Sequence, residues 1–271
     1  WPIGGMTGNM CCGFYQPSQD LANAFQTSNG LPLLDTYNQS DIANDAGINS
    51  DEPFTPHTGP LDPRIDFTIG RRGIEYNGYG PFTGKENIRA SFSDISGPYA
   101  AKKSMYYAGD DTNKGTGGWG QQRSGINYHI IRYADVLLMA AEAAVESGSL
   151  ETARGYVNQV RQRAIDGPRA DSSPNYSIST YGSAWTDQAV ARKAVRFERR
   201  LELGMEGGRL FDLRRWNVME ATLNAYISNE GRTIPTFQSR AASVQSKHNA
   251  LPIPTEAIDN SQGALTQNPG Y

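Results

Sequence analysis

Apolar residues recur at helical spacing in three stretches of the chain. Ile130, Ala134, Leu137, Ala141 and Ala144 follow one another at intervals of four, three, four and three. Side chains three or four apart share a helix face, so the spacing predicts a helix from about Asn127 to Ser147. Gly148 ends it, because glycine readily takes the left-handed conformation after a last turn, and Ser149 is placed to cap a second helix with Glu151 in its first turn. That second helix repeats the rhythm at Leu150, Ala153, Val157, Val160 and Ala164. Two helices joined by one tight turn predict an antiparallel hairpin. A third helix is predicted over Asp187 to Leu203, with Val190, Ala194, Phe197 and Leu201 on one face and Thr186 as its cap. Gly204, Gly207 and Gly208 break it, and Arg209 to Trp216 can resume as a short helical turn.

Elsewhere the periodicity is lost. From Trp1 to about Gln122, Gly, Asn, Asp, Pro, Ser and aromatics alternate, with short apolar runs such as Ile65 to Ile69 that fit strands. Residues 166–184 read as a loop, and the chain after Asn217 reads as irregular. With 271 residues, of which Gly is 29 and Pro 15, the composition is that of a folded, loop-rich chain. A formal charge of −3 lacks the basic footprint of a dedicated nucleic-acid binder. The longest apolar run, Val136 to Val145, is interrupted by Glu142 and falls short of the roughly 20 residues a membrane span needs. Cys11 and Cys12 are adjacent, which suits neither a disulfide framework nor, with only His57, His129 and His248 far apart, a zinc site; they read as packing thiols. Gly8, Asn9 and Met10 ahead of them are not the apolar segment that precedes a lipidated cysteine. The chain opens on Trp1-Pro2-Ile3 without an initiator methionine, the mark of a processed or cut end.

Against the 34-residue tetratricopeptide pattern, Leu137 falls where a large residue is wanted, Ala141 and Ala153 where small ones let helices approach, and Val157 and Val160 where the seam continues. Ala140 and Ala144 stand where larger residues are usual, so an ordinary helical hairpin is the alternative. Either way one hairpin cannot bury both its faces, since stacks of this kind need at least about three repeats.

The candidate chemistry points to binding. Seven arginines and Lys193 between Arg192 and Arg215 are interleaved with Glu198, Glu202, Glu206 and Asp212. An anion patch is one reading; ion pairs and buried forks pinning the helix to loops are the stronger one. Asp110-Asp111 with Asn113 and Gly115 does not follow the calcium-loop spacing, and Gln121 stands where a bidentate Glu is needed. No Gly-x-Ser-x-Gly elbow, P-loop or His-Glu-x-x-His run occurs. Two loop stretches have the composition of a glycan platform, aromatic bodies flanked by polar groups with glycine on either side: Arg71 to Phe82, containing Arg72, Tyr76, Asn77 and Tyr79, and Asn113 to Gly120, containing Trp119. The competing reading makes these rings loop anchors. Trp185 and Trp216, in or beside helical segments, read as structural.

Four stretches in order resemble the C-terminal half of the SusD/RagB-like family of outer-membrane nutrient-binding lipoproteins. They are Leu61-Asp62-Pro63-Arg64-Ile65 with Thr68-Ile69; Ile131-Arg132-Tyr133-Ala134-Asp135-Val136-Leu137-Leu138 on to Val157-Asn158-Gln159-Val160-Arg161; Glu198-Arg199-Arg200-Leu201-Glu202-Leu203 with Phe211-Asp212-Leu213-Arg214-Arg215-Trp216; and Leu251-Pro252-Ile253-Pro254 with Gln267-Asn268-Pro269-Gly270-Tyr271. Gln16 to Leu21 is similar to the family segment ahead of its middle loops. The resemblance implies a mainly α fold, tetratricopeptide-like helical hairpins carrying long irregular loops and a few short strands. Within it, residues 1–122 form the ligand-side segment, 126–217 the helices and 218–271 an irregular C-terminal segment, with the N-terminal half outside this sequence.

The implied role is non-catalytic capture of oligosaccharides at the cell surface for a SusC-like TonB-dependent transporter. It involves no cofactor, metal or nucleic acid, and anchoring is through a lipid on the N-terminal part. Ligand contacts are expected from Trp119, Tyr79, Tyr76, Asn77 and Arg72. A RagB-type peptide binder is the alternative; a glycoside hydrolase and a tetratricopeptide adaptor stand behind it.

Overall fold

The computed structural model describes residues 15–84, 88, 97–115 and 123–271. They form two compact units, the first ending at Gly207 and the second running from Gly208 to Tyr271. In the first unit, chain order runs α1 (Gln19–Ala24), a hairpin of β1 (Thr27–Ser28) and β2 (Leu31–Pro32), then α2 (Ile65–Thr68) leading into β3 (Ile69–Gly70). β3 pairs antiparallel with β4 (Ala100–Ala101), Ile69 opposite Ala101, and β5 (Lys114–Gly115) pairs with β6 (Arg123–Ser124). The long helices follow: α3 (Tyr133–Glu146), α4 (Leu150–Asp166) and α5 (Gln188–Leu203). Among the described residues no helix is long and apolar enough to cross a membrane.

The predicted hairpin is α3 and α4. Leu137, Leu138, Ala141, Ala144 and Val145 of α3 meet Ala153, Val157 and Val160 of α4, and Ala191 and Val195 of α5 close the layer. The small residues at Ala141 and Ala153, both fully buried, let the two helices approach. The turn between them has glycine-dependent geometry. Gly148 sits at φ +82°, its N–H donates to Val145 O at 3.1 Å, and Ser149 N–H donates to Ala144 O at 2.8 Å, which satisfies the last carbonyls of α3. Ser149 makes no side-chain cap bond, contrary to expectation.

Other expectations are corrected. The first helix begins at Tyr133, not near Asn127. Arg132 is extended, its guanidinium drawn to Glu202 and Glu206, and Ile130 upstream is 86% exposed instead of on the core face. On α5 the buried face is Ala191, Ala194, Val195, Glu198, Leu201 and Glu202, with Val190 exposed, and the cap is Asp187, whose carboxylate accepts from Ala189 and Val190 N–H, rather than Thr186. Ile65 to Ile69, read as a strand, is mostly the helical turn α2. The outer face of α3 has no cover within the described residues: Tyr133, Val136 and Met139, at intervals of three, are all exposed.

α5 also walls a second core. Leu201 and Phe197 pack with Ala22, Phe25, Ile42, Leu61, Ile65, Ile69 and Tyr99, so the loop-rich segment is built onto the helix layer. A third cluster, Tyr76, Phe82, Ile88, Ala100, Met105 and Tyr106, lies within the loops themselves.

Residues 208–271 are more helical than their sequence suggested. They contain α6 (Arg209–Arg215), α7 (Met219–Thr233), α8 (Pro235–Arg240) and α9 (Thr255–Asn260). Trp216, as expected, is structural, packing with Leu213 and Met219. The apolar pattern of α7 is weak, because Leu223, Tyr226 and Ile227, which are only partly buried, are diluted by Asn224, Asn229 and Gly231. Asn224 ties α7 to the following loop by bonding both N–H and C=O of Val244. Gln267 does the same at Ile253, which holds the Pro-flanked C-terminal strand of sequence in place.

Candidate ligand-binding site

The Arg-rich sequence is used for construction. Glu198, fully buried on α5, accepts from Arg64 Nη1 at 2.6 Å and from Arg161 Nη1 at 2.8 Å. Arg161, equally buried, also donates to Ser179 O and Gly30 O, so one guanidinium joins α4, α5 and two loops. Arg64 forks onto Asp62 and reaches Glu202. These partners lie far apart in sequence, rather than at the i, i+4 spacing of an isolated helix. A buried charge without its partner is strongly unfavourable, so the pairs fix where the loops dock.

The same logic continues into the loop segment. Asp66 accepts from Arg71 through both oxygens, at 2.6 and 2.8 Å, and from the Tyr176 hydroxyl at 2.6 Å. Burial beside that carboxylate pushes the Tyr176 phenol well up. Lys102 donates to the carbonyls of Asp66 and Glu75, and burial pushes its ammonium down to about 8. Tyr37, Asn38 and Arg200 surround Asp20 in the same way, and the guanidinium, with those hydrogen bonds, holds its carboxyl below the usual range despite burial.

On this base stands a short hairpin. Tyr79 N–H donates to Tyr76 O at 2.9 Å across Asn77 and Gly78, at φ +48° and +83°, the left-handed pair that two-residue hairpin turns need. Glu75 accepts from the N–H groups of Gly78 and Gly80 and caps the turn. Tyr76 packs its ring against β3: a Cβ on Gly70 would stand 2.5 Å from it, so only glycine fits there. Its hydroxyl donates to Ala101 O at 2.6 Å and its ring packs 5.4 Å from Phe82.

The expected platform residues therefore separate. Tyr76 and Asn77 are buried, and their exposed surface is 0% and 5%. They shape the hairpin and present no open face. Arg72 donates to the carbonyls of Asn49, Ser50 and Glu52 and lies over the Phe54 ring, which anchors the preceding loop. Tyr79 is half-buried, and its hydroxyl has no hydrogen-bond partner among the described residues. Trp119 lies outside the described residues.

One aromatic was not anticipated. Tyr107 is 56% exposed and precedes Ala108, whose N–H donates to Asn77 O at 2.8 Å, so its backbone is held beside the hairpin tip. Asp110 N–H donates to Tyr107 O, with Gly109 at φ +81°, and the Asp110 carboxylate accepts from Thr112 and Asn113. Tyr106 beside it is buried. The Tyr106-Tyr107-Ala108-Gly109-Asp110 run carried the signal, one ring in and one out ahead of a glycine turn. The arrangement offers an exposed tyrosine on a tethered backbone, followed by a carboxylate, a hydroxyl and an amide that bond one another, and no group of three or more possible metal ligands occurs among the described residues.

Comparison with known proteins fixes the lineage. The sequence pattern of the SusD family matches residues 4–271. SusD-like protein P2 of Formosa agariphila is 30% identical over 179 residues, which is 65% of this chain and 31% of that protein. SusD-like protein P25 of the same organism is 31% identical over 132 residues, 49% of this chain and 22% of its own length. A SusD superfamily protein from Bacteroides vulgatus shares the fold with a TM-score of 0.58 at 23% identity, over 100% of this chain and 47% of that one. A SusD homologue from Bacteroides thetaiotaomicron superposes with a TM-score of 0.53 at 24% identity, over 78% of this chain and 41% of its own. The chain thus spans less than half the length of these relatives. By its sequence match along nearly every residue and by its helical fold, it belongs to the SusD family.

Proposed function

We propose that this chain is part of a non-catalytic, lipid-anchored protein of the bacterial outer membrane that captures oligosaccharides at the cell surface and passes them to a SusC-like TonB-dependent transporter. Family membership supports the ligand class and the transporter, and one structural observation supports the place of binding. Tyr107 is held open to solvent beside the Asn77-Gly78 turn, with Asp110 and Asn113 close in sequence. Sugars present CH-rich faces that stack on such rings, and hydroxyls that bond to such carboxylates and amides. Tyr79 and Trp119 would extend the platform, with Tyr76, Asn77 and Arg72 holding the backbone beneath it. We assign the cover of α3 to the rest of the polypeptide: a helix apolar on its inner face and at Tyr133, Val136 and Met139 is built to be sandwiched, and relatives carry more than twice this length.

Isothermal titration of the full-length protein against oligosaccharides and short peptides tests the reading. At least one oligosaccharide should bind, and binding of peptides with no oligosaccharide would replace it with the RagB-type alternative.

A further inference from the structure

A cavity of about 480 Å³ lies where α4 and α5 end and α3 begins, and none of its lining residues belongs to the Tyr76 to Tyr79 turn. That is room for one or two sugar units. Phe67, Pro63, Pro168 and Met205 make apolar walls. The polar side is unbalanced toward donors. Glu202 accepts from Arg132 and Arg163 through Oε1 and from Arg64 through Oε2; Glu206 accepts from Lys103 and Arg132 through Oε1 and from Arg132 Nε through Oε2. All four carboxylate oxygens are therefore occupied. The surrounding arginines hold the Glu202 carboxyl down at about 2 despite its burial, and Arg132 and Lys103 hold Glu206 below its usual range, so both stay ionised and neutralised.

Donors remain. Arg163, with its side chain 60% exposed, uses only Nη2, which leaves Nε and Nη1 without partners among the described residues. His129 stands exposed in the lining. Charge points the same way. Arg64, Arg132, Arg161, Arg163 and Lys103 face Asp62, Glu198, Glu202 and Glu206, so the cluster keeps one positive charge, and its most exposed member is Arg163. The helix-end carbonyls that would repel an anion are already met: Arg169 donates to Ala164 O and Ile165 O, while Lys103 and Arg132 donate to Glu202 O.

We propose that this cavity is a second binding site, which receives a carboxylate-bearing sugar. Its acid group pairs with the free edge of Arg163, and its ring lies against Phe67 and Met205. The proposal rests on the glycan reading above and narrows it to acidic glycans at this site. The test is titration of the full-length protein with trigalacturonate and with a neutral trisaccharide, maltotriose, each also against Arg163→Gln and Arg163→Lys variants. Trigalacturonate should bind more tightly than maltotriose and weaken in high salt. It should lose about tenfold or more in affinity in Arg163→Gln, as expected for a charge-assisted hydrogen bond, and recover much of it in Arg163→Lys. Equal affinity for the two sugars, or trigalacturonate binding unchanged in Arg163→Gln, overturns the site while leaving glycan capture standing. Failure of every glycan in the wider panel to bind overturns both.

Discussion

Arg161 and Glu198 meet at 2.8 Å with neither side chain exposed to solvent. The pair joins the middle of α4 to the middle of α5, and through the remaining donors of Arg161 it reaches the loops at Gly30 and Ser179. Replacing Glu198 by Ala leaves Arg64 and Arg161 buried with an excess of positive charge. The expected cost is about 3–5 kcal/mol, the usual penalty for breaking a buried pair from one side. A chemical-denaturation midpoint measured for the variant and the parent chain checks it; a change no larger than that of a surface substitution would mean the network is not buried as described.

Acid should weaken the protein through Glu202. Its carboxyl sits near 2 in the folded chain against an ordinary value of 4.5, so between those values the unfolded chain binds the proton and the folded chain does not. Stability from this group is complete above about pH 5 and is lost as pH falls from 4.5 toward 2, on the order of 3 kcal/mol in all. Melting temperatures recorded from pH 6 to pH 3 should fall, and a Glu202→Gln variant, less stable at neutral pH, should show a flatter profile.

The two helix-end devices separate cleanly by mutation. Asp187→Ala removes the acceptor for two N–H groups at the start of α5 and should cost about 1 kcal/mol, whereas Thr186→Ala should stay within about 0.5 kcal/mol. Gly148→Ala meets no steric obstacle but must hold φ +82°, and should cost about 1 kcal/mol. Equilibrium unfolding of the three variants tests the assignment of Asp187 as cap.

Within the loops, Tyr76→Phe removes the donor to Ala101 O and should lower stability by about 1 kcal/mol, with ligand affinity kept because the ring still fills the space under the hairpin. Parallel unfolding and binding measurements would show it. A large loss of affinity at unchanged stability would instead place Tyr76 at the ligand.

The helical hairpin was legible because its apolar spacing is strong and its stop is a glycine; Leu137, Ala141, Ala153 and Val157 are where that spacing put them. The start of α3 was not, because Arg132 is held extended by carboxylates seventy and more positions away, which no local pattern encodes. The arginine cluster serves construction, as its interleaved charges suggest, but its partners, Arg64 and Arg161 on Glu198 and Asp20 on Arg200, cannot be assigned without the fold. In the hairpin, Asn77-Gly78 was itself a turn signature, and reading it as one would have moved Tyr76 and Asn77 from the platform to its support. For Tyr107 the local pattern signals one exposed ring ahead of a glycine turn, but its place beside the hairpin depends on a long-range bond, Ala108 N–H to Asn77 O, which no local pattern encodes.

The proposed sugar-binding face lies beside the hairpin tip, at Tyr107. Its most direct test is titration of the full-length protein and its Tyr107→Ala variant with whichever oligosaccharide binds the parent most tightly. Loss of about tenfold or more in affinity, with the melting temperature unchanged, is the predicted result for a ring that stacks on the sugar. Unaltered affinity in Tyr107→Ala would rule out this face and move the binding site elsewhere on the protein.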